Sequence, residues 1–231
     1  MTSTVVVDGA SLTCAAVTAV ARREAGVAVG ERAVAAARAA WQTGRDLAAR
    51  QPVYGRNTGV GANHVVDLSE SDRAEHGIRL LRSHAAGTGP LLAPEVARAM
   101  LVVRLNQLGA GGSGVDPALL PVLADVINRG FTPPVPLYGA IGTGDLTALA
   151  STGLCLLGER AWRGGTGSPP RFGIRASEAL GFISSSAATL GDAALACHDL
   201  AALLRATAAA SRCRPARRAR RAGRARWTPA R

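Results

Sequence analysis

The sequence predicts a mainly α protein, because apolar residues recur at helical spacing along most of the chain while strand-like runs are few and short. Helices are expected over about residues 14–24, 31–50, 69–84, 94–108, 116–128, 145–157 and 186–210. Strand character is confined to runs such as Thr4–Val7. The chain shows neither βαβ alternation nor an internal repeat of about 20–50 residues. A doubly wound parallel sheet and a solenoid are therefore not expected.

Boundary residues mark where several of these helices begin and end. Thr13 is placed to cap the first helix, and Gly26 follows its end. Pro94 suits the first turn of the fourth helix, and Asp145 begins the sixth. The other boundaries are marked by Asp72, by Asp116-Pro117 and by Asn128–Gly130.

The positive charge of the chain is concentrated at one end. The 27 basic residues, all arginine, face 16 acids and give a net charge of +11. Residues 212–231 hold nine of the arginines and no acid, so residues 1–211 carry a net charge of only +2. Helical apolar spacing stops at Ser211. We therefore expect an incomplete domain over 1–211 and a disordered Arg-rich tail over 212–231, which is either a nucleic-acid-binding segment or a frame-shifted end.

The composition also argues against several classes of protein. With 48% hydrophobic residues the chain can bury a core, which excludes wholesale disorder. There is no uninterrupted apolar run of about 18 residues and no signal-peptide pattern, so no membrane partner is expected. The cysteines form no CxxC pair and no metal-ligand spacing; they are Cys14, Cys155, Cys197 and Cys213. We expect a cytoplasmic protein with reduced thiols and no metal site.

Three glycine-rich regions between the helices predict a site built from loops. They are Tyr54–Gly61 (YGRNTGVG), Ser83–Leu91 (SHAAGTGPL) together with Gly109–Val115 (GAGGSGV), and Pro133–Ala150. Glycine permits positive φ and lets the backbone approach a ligand closely. The GAGGSG run matches G-x-G-x-x-G, but it follows a predicted helix rather than a strand, which argues against a dinucleotide site.

The tripeptide Gly142-Thr143-Gly144, just before Asp145, has a distinct chemical possibility. Where a chain bends sharply and the flanking residues are small, the amide of Gly144 can attack the carbonyl carbon of Gly142. Loss of water from the central hydroxyl residue then yields a conjugated electrophile made from the chain itself. A simple turn before a helix is the alternative that the residues alone leave open.

Several segments, in order over about residues 5–200, resemble the histidine and phenylalanine ammonia-lyase family. YGRNTGVG resembles the family's YGxNTGFG loop, SHAAGTGPL its SHAAGxG segment, and RLNQLGAGGSGV its RxNxLxxGxSGV segment. VPLYGAIGTGDLTALA resembles GSVGASGDLAPLA, which forms the methylidene-imidazolone (MIO) electrophile, and VVVDGASLTCAAVTAVAR resembles the N-terminal opening. The resemblance implies a helical ammonia-lyase fold with Gly-rich active-site loops, nearest to the histidine enzymes.

The resemblance implies roles for four residues that precede the tripeptide. Tyr54 corresponds to the catalytic tyrosine that takes the substrate β-proton or assists in taking it. A phenol is mostly protonated at neutral pH, so the site must stabilise the phenolate. Gly61 corresponds to the glycine that closes the same loop. Ser83 and His84 correspond to the pair that lines the substrate side-chain pocket, where an imidazole can hydrogen-bond a substrate imidazole.

The tripeptide itself corresponds to the family's Ala-Ser-Gly triad, and Asp145 to the aspartate that follows it. In that family the electrophile turns the substrate amine into a leaving group, and loss of the β-proton and ammonia leaves an α,β-unsaturated acid. The resemblance thus implies a self-formed MIO-type group from Gly142, Thr143 and Gly144, with no metal.

The chain departs from the family pattern at three points. Thr143 stands in place of serine, in a stretch one residue shorter, so its dehydration would give an ethylidene rather than a methylidene group. Ser185 or Ser186 stands where the family has an asparagine that supports the electrophile. The family's later Gln, Tyr, Arg and Glu site residues, including the arginine that binds the substrate carboxylate, have no counterpart in residues 1–231.

The expected function is elimination of ammonia from an aromatic L-amino acid, with L-histidine to urocanate the nearest match, by a homotetramer in which several subunits build each site. The sequence leaves open the choice among His, Tyr and Phe, and lyase against aminomutase chemistry. Two other hypotheses remain at this stage: an inactive homologue that acts as a subunit or scaffold, and nucleic-acid binding through the Arg-rich tail.

Overall fold

Helices dominate the computed structural model, which describes residues 3–61 and 70–224. The first four are α1 (Cys14–Ala21), α2 (Glu31–Ala48), α3 (Glu70–His84) and α4 (Pro94–Gly109). The rest are α5 (Leu119–Asn128), α6 (Leu146–Leu157), α7 (Ala179–Ile183), which a 3₁₀ turn (Ala176–Glu178) precedes, and α8 (Ala187–Arg224). The predicted mainly α class is confirmed.

Short strands in the described ranges pair two by two. Strands β1 (Ser3–Val7) and β2 (Ala25–Val29) are parallel, with Val5 opposite Val27. Strand β3 (Thr88–Leu91) runs antiparallel to β5 (Pro136–Tyr138), and β4 (Phe131–Thr132) runs antiparallel to β6 (Arg163–Gly164). The β3–β5 pair matters most for function, because it joins the two predicted site loops that follow α3 and precede α6.

The end of the first helix differs from the sequence prediction. Helix α1 stops at Ala21 instead of reaching Glu24, and Arg23 takes a left-handed φ of 65°. The next residues, Ala25–Val29, form β2, which the sequence analysis did not identify as a strand. The reason is tertiary: this Ala/Gly/Val run has little strand character of its own, and parallel pairing with β1 supplies its hydrogen bonds.

Other helix boundaries follow the sequence closely. The Thr13 hydroxyl accepts the backbone N–H of Ala16 at 3.2 Å, which confirms the predicted cap of α1. Gly130, with a φ of 80°, follows α5 as predicted. Helix α5 itself begins at Leu119, after a turn in which Asp116 accepts the backbone N–H of Ala118. The predicted cap by Asp72 lies outside the residues whose side chains are described.

Helix α8 extends through Arg224, well past Ala210 where apolar spacing predicted its end. Residues 212–224 belong to this helix and 225–231 lie outside the described residues, so the expected disorder of the Arg-rich tail stays a prediction. Alanine and arginine are both strong helix formers, so this composition supports a helix even without an apolar stripe.

The chain divides into two compact units, Met1–Leu195 and Ala196 onward. The core of the first is centred on α4, whose Met100, Leu101 and Leu105 are at most 1% exposed. Around it pack buried residues of the neighbouring helices, among them Leu81, Leu119, Leu123, Leu149, Leu156 and Phe182. The second unit continues α8, and its Leu200, Leu203 and Leu204 are exposed.

One run, Ala176–Arg212, has the length and apolar composition that a membrane-crossing helix needs, and 33% of its most apolar window is buried. A long helix packed in a protein core meets the same criterion. The chain has no uninterrupted apolar run of about 18 residues, which is a stricter criterion than high mean hydropathy over a window. The expected lack of a membrane partner stays a prediction.

Candidate active site

A cavity of about 200 Å³ brings together two segments that the sequence placed in a site. Ser83 and His84, at the end of α3, line it together with Thr143 and Gly144 from the loop before α6. The rest of its lining is small or apolar, from Ala86, Gly139, Ile141, Leu146 and Thr147. The structure therefore gathers the predicted side-chain pocket and the predicted electrophile around one cavity.

Hydrogen bonds to one carbonyl hold the Ser83-His84 pair. The Ser83 hydroxyl donates to the Leu80 carbonyl at 3.0 Å, and Nδ1 of His84 lies 2.9 Å from the same oxygen. A carbonyl can only accept, so we assign the proton to Nδ1. The other ring nitrogen, Nε2, is then the acceptor that a ligand would meet.

A salt bridge and a backbone contact fix the end of α3 against the turn after α6. Arg82 donates to both carboxylate oxygens of Glu159, at 2.8 and 2.9 Å, and this hydrogen-bonded pairing lowers the pKa of Glu159. Arg160 donates to the carbonyl of Ala85 at 3.4 Å. The pair is exposed, so its energetic contribution is small, but its bidentate geometry sets the register of the two elements.

Both glycines of the Gly142–Gly144 loop have left-handed backbone conformations. Gly142 and Gly144 have φ values of 95° and 103°, which L side chains rarely adopt. A Cβ on Gly142 would meet nothing within 4 Å, whereas one on Gly144 would lie 3.1 Å from the carbonyl oxygen of Ser185. Thr143 between them is exposed. The carbonyl of Ser185 thus leaves little room for a side chain at Gly144, whereas the space around Gly142 is open.

Asp145 joins this loop to the start of α8. Its backbone N–H donates to the Ser185 carbonyl at 2.7 Å. Its carboxylate, 5% exposed, accepts the backbone N–H and the hydroxyl of Thr189, both at 2.9 Å. The carboxylate faces a second cavity, of about 190 Å³, and does not line the one beside Thr143. Asp145, predicted with the catalytic residues, therefore has the contacts of a residue that positions the loop.

Ser185 is held by α4 from the other side. Its hydroxyl donates to the side-chain oxygen of Gln107, which also accepts from Arg104 at 3.2 Å. Arg104, 3% exposed, donates to the carbonyls of Gly181 and Phe182 at the end of α7, and burial lowers its pKa to about 10. Ser186 is exposed, and its carbonyl accepts the N–H of Leu190 to begin α8.

Sequence reasoning missed Arg104 and Gln107 as individual site-supporting residues. Both lie in the quoted segment RLNQLGAGGSGV, in the second half of α4, where most of the neighbouring residues are buried and apolar. A buried polar side chain needs a hydrogen-bond partner, and that requirement is the indication that could have identified them.

Close packing of three residues sets the distance between the two loops. The Thr147 hydroxyl donates to the Gly139 carbonyl at 2.9 Å. A Cβ on Gly139 would lie 2.7 Å from Cγ2 of Thr147, and one on Gly87 would lie 3.0 Å from the same atom. The glycines therefore allow the β3–β5 pair to approach the first turn of α6.

The Tyr54–Gly61 loop is closed by its own polar groups. The Tyr54 phenol oxygen accepts the backbone N–H of Gly61 at 2.8 Å, a contact that spans the loop and fixes the position of the ring. Asn57 accepts the N–H of Val53 and donates to the carbonyls of Ala48 and Gln51. The Tyr54 side chain is 56% exposed and does not line the cavity beside Thr143. Within one chain the structure does not bring Tyr54 to His84.

Metal chemistry finds no support in the described residues. Over residues 3–61 and 70–224, no group of three or more His, Cys, Asp or Glu is arranged to hold a metal ion. The chemical groups around the cavity are the imidazole of His84, the hydroxyls of Ser83, Thr143 and Thr147, and a glycine-flanked backbone turn.

Comparison with known proteins identifies relatives that share most of this chain. The family model described as aromatic amino acid lyase matches residues 12–213. Histidine ammonia-lyase of Streptomyces coelicolor is 37% identical over 211 residues, which are 85% of this chain and 41% of that protein. The MIO-dependent tyrosine 2,3-aminomutase of Streptomyces globisporus is 40% identical over 155 residues, which are 66% of this chain and 29% of that protein.

Solved structures of related enzymes share the fold of this chain. The crystal structure of the ergothioneine-degrading enzyme ergothionase from Treponema denticola superposes with a TM-score of 0.77 at 29% identity, over 83% of this chain and 41% of that one. The chain thus spans about two fifths of the length of the histidine ammonia-lyase and of the ergothionase it matches. With a family model that covers residues 12–213, the chain belongs to the aromatic amino acid lyase family.

Proposed function

We propose that this chain is part of an ammonia-lyase that converts L-histidine to urocanate and ammonia. The observation that carries the proposal is the shared cavity of Ser83, His84, Thr143 and Gly144. It combines a group able to recognise an imidazole with the loop whose counterpart in the family forms the electrophile. Relatives named histidine ammonia-lyase, at 37% identity over 85% of this chain, support the same substrate.

His84 is the residue we assign to substrate choice. With its Nδ1 proton directed to Leu80, its Nε2 accepts a hydrogen bond from the N–H of a substrate imidazole. The phenyl ring of phenylalanine has no such donor and would leave this nitrogen without a partner. A buried polar group left unpaired disfavours the wrong ligand by about 1–3 kcal/mol.

The residues of the loop fit a self-formed electrophile. Positive φ at both Gly142 and Gly144, open space at Gly142 and an exposed Thr143 are compatible with attack of the Gly144 amide on the Gly142 carbonyl. When formed, the group withdraws electrons from the substrate amine and makes it a better leaving group. Asp145, held by Thr189, and Ser185, held by Gln107, keep the Gly144 end of the loop in place.

We assign Tyr54 to removal of the β-proton. The N–H of Gly61 donates to the Tyr54 oxygen at 2.8 Å and so fixes the position of the group that would accept the proton. Since Tyr54 does not line the cavity within one chain, we place it at the cavity of another subunit, in a homotetramer. The arginine that binds the substrate carboxylate would also come from outside these residues.

The test is an activity assay with matched variants, in the protein at the full length its gene encodes. Ammonia release is measured from L-histidine, L-tyrosine and L-phenylalanine. We expect L-histidine to be preferred, and Thr143→Ala to abolish release. Thr207→Ala, at an exposed position of α8, is the control and retains activity. Full activity of Thr143→Ala would refute the electrophile assignment, and a preference for tyrosine or phenylalanine would refute the substrate.

The second candidate is an inactive homologue that serves as a subunit or scaffold. It is favoured by Thr143 in place of serine and by Ser185, whose hydroxyl is engaged by Gln107 instead of facing the loop. This candidate predicts an uncyclised Gly142–Gly144 and unchanged assembly in Thr143→Ala.

Nucleic-acid binding through residues 212–231 is the third candidate, favoured by the arginines that α8 carries through Arg224. It predicts binding to duplex DNA that weakens steeply with salt and disappears when 212–231 is deleted. Binding that is insensitive to salt, or that survives the deletion, would contradict it.

A further inference from the structure

A third cavity, separate both from the one beside Thr143 and from the one that Asp145 lines, carries an excess of positive charge. It has a volume of about 270 Å³ and is lined by Arg45, Arg56, Asn57, Arg175, Ser177 and Glu178, with Ala48 and Ala49 completing the wall. Three guanidinium groups thus face one carboxylate. We call this cavity the arginine pocket.

The carboxylate of Glu178 already accepts hydrogen bonds from two uncharged donors. Glu178 is 2% exposed, and its two oxygens accept the indole N–H of Trp41 at 2.7 Å and the backbone N–H of Asp116 at 3.0 Å. The negative charge of Glu178 acts to raise the pKa of Arg56, but Glu178 forms no salt bridge with the three arginines of the pocket. Positive charge therefore remains in excess at the pocket.

Two of the arginines are held by the same aromatic ring. The guanidinium carbon of Arg45 lies 4.9 Å from the centre of the Trp41 ring, and that of Arg175 lies 5.4 Å from it. Cation–π contacts of this kind restrict long side chains that would otherwise be mobile. Arg175 also approaches Asp116 at 3.6 Å. The cations are thus partly preorganised for a ligand.

Of the three arginines, Arg56 has a buried guanidinium nitrogen whose hydrogen-bonding capacity the described residues leave unmet. Its Nη1 donates to the Gly114 carbonyl at 3.0 Å, and a Cβ on Gly44 or Gly114 would lie only 2.6 or 2.7 Å from that nitrogen. Its Nη2 is buried and has no hydrogen-bond partner among the residues that the structure describes. Burial and the nearby Arg45 both act to lower its pKa. A buried guanidinium nitrogen without an acceptor is costly, and an anionic ligand in the pocket would offset that cost.

We propose that the arginine pocket binds a phosphate-type oxyanion, either free phosphate or the phosphate of a small monoester. Tetrahedral oxyanions match arginine because each guanidinium offers paired N–H donors to neighbouring oxygens. The volume of about 270 Å³ accommodates such a group. Arg56 lies in the Tyr54–Gly61 loop, so a bound oxyanion also fixes this loop to α2 and to the turn before α7.

Calorimetric titration of the full chain tests this proposal without any measurement of enzyme activity. Inorganic phosphate is titrated in a chloride buffer of matched ionic strength, and glycerol phosphate serves as the monoester. We expect saturable binding, roughly tenfold weaker in Arg175→Gln and in Arg45→Gln, because each loses a charge-assisted contact. Stronger binding of glycerol phosphate than of phosphate would identify a monoester as the ligand, and the reverse would identify free phosphate.

The matched control is Arg38→Gln, which removes the same charge from an exposed position on α2 outside the pocket. It should bind phosphate as the unmodified chain does. Three results would overturn the proposal: no saturable heat beyond that of chloride, unchanged affinity in both pocket variants, or an equal loss in Arg38→Gln. Both pocket variants alter exposed side chains, so they should fold normally, which circular dichroism verifies.

Discussion

The carboxylate of Asp145 accepts two hydrogen bonds from Thr189, one from the backbone N–H and one from the hydroxyl, each 2.9 Å long. Asp145 directly follows the Gly142–Gly144 loop, and Thr189 lies in the first turn of α8. Asp145 therefore begins α6 and also caps α8, and its contacts with Thr189 fix the position at which the loop ends. A carboxylate at a helix N-terminus is also favoured by the helix dipole.

Asp145→Ala should lower the free energy of unfolding by about 0.5–2 kcal/mol, because the N–H of Thr189 in the first turn of α8 loses its capping acceptor. Asp145→Asn keeps one side-chain oxygen and should cost less. Denaturant titration measures both. Asp192→Ala, at an exposed position of the same helix, is the control, and an equal loss in that variant would show that Asp145 has no special role.

His84→Phe should reduce kcat/KM for L-histidine by about 10–100-fold, since the substrate N–H would lose its acceptor. Turnover of L-phenylalanine should stay constant or rise. Steady-state kinetics with the two substrates measure the ratio. Equal losses for both substrates would show that His84 supports the structure rather than substrate choice.

Gly139→Ala should destabilise the fold by about 1–3 kcal/mol, because its Cβ would lie 2.7 Å from Cγ2 of Thr147. The double variant Gly139→Ala/Thr147→Ser removes that methyl group, keeps the hydroxyl bonded to the Gly139 carbonyl, and should recover part of the loss. Thermal unfolding provides the comparison. Gly173→Ala is the control, as nothing lies within 4 Å of its Cβ.

Cys155 should resist alkylation across the pH range in which Cys14 and Cys197 react. Burial raises the pKa of Cys155 to about 12, only partly opposed by Arg160, so the thiol form persists as pH rises. Cys14 and Cys197 are exposed. Iodoacetamide labelling followed by peptide mass spectrometry at pH 7 and pH 9 separates the three. Rapid labelling of native Cys155 at pH 9 would contradict the buried site.

Local chemistry explains what could be predicted from the sequence. Thr13, Gly130 and the start of α6 follow from capping and from glycine's freedom of φ, which depend on neighbouring residues alone. The family resemblance assigned Ser83, His84, Thr143 and Gly144 to one site, and they line the same cavity, while their roles stay predictions.

The features that the sequence did not predict depend on contacts between residues far apart along the chain. Gln107 meets Ser185, and Arg104 meets the end of α7, across nearly eighty residues, so no local pattern indicates these contacts. The strand Ala25–Val29 exists because β1 lies beside it. The carboxylate of Asp145 turns to Thr189 although its sequence position suggested a role with the electrophile.

Intact-mass measurement of the purified protein tests the central claim most directly, namely that Gly142, Thr143 and Gly144 form an electrophile. Cyclisation and dehydration predict a mass about two waters below that of the linear sequence, and the deficit should vanish in Thr143→Ala. Peptide mapping should place the deficit in the segment that contains Thr143. An unmodified mass in the full-length, folded protein would contradict the claim and favour the inactive homologue.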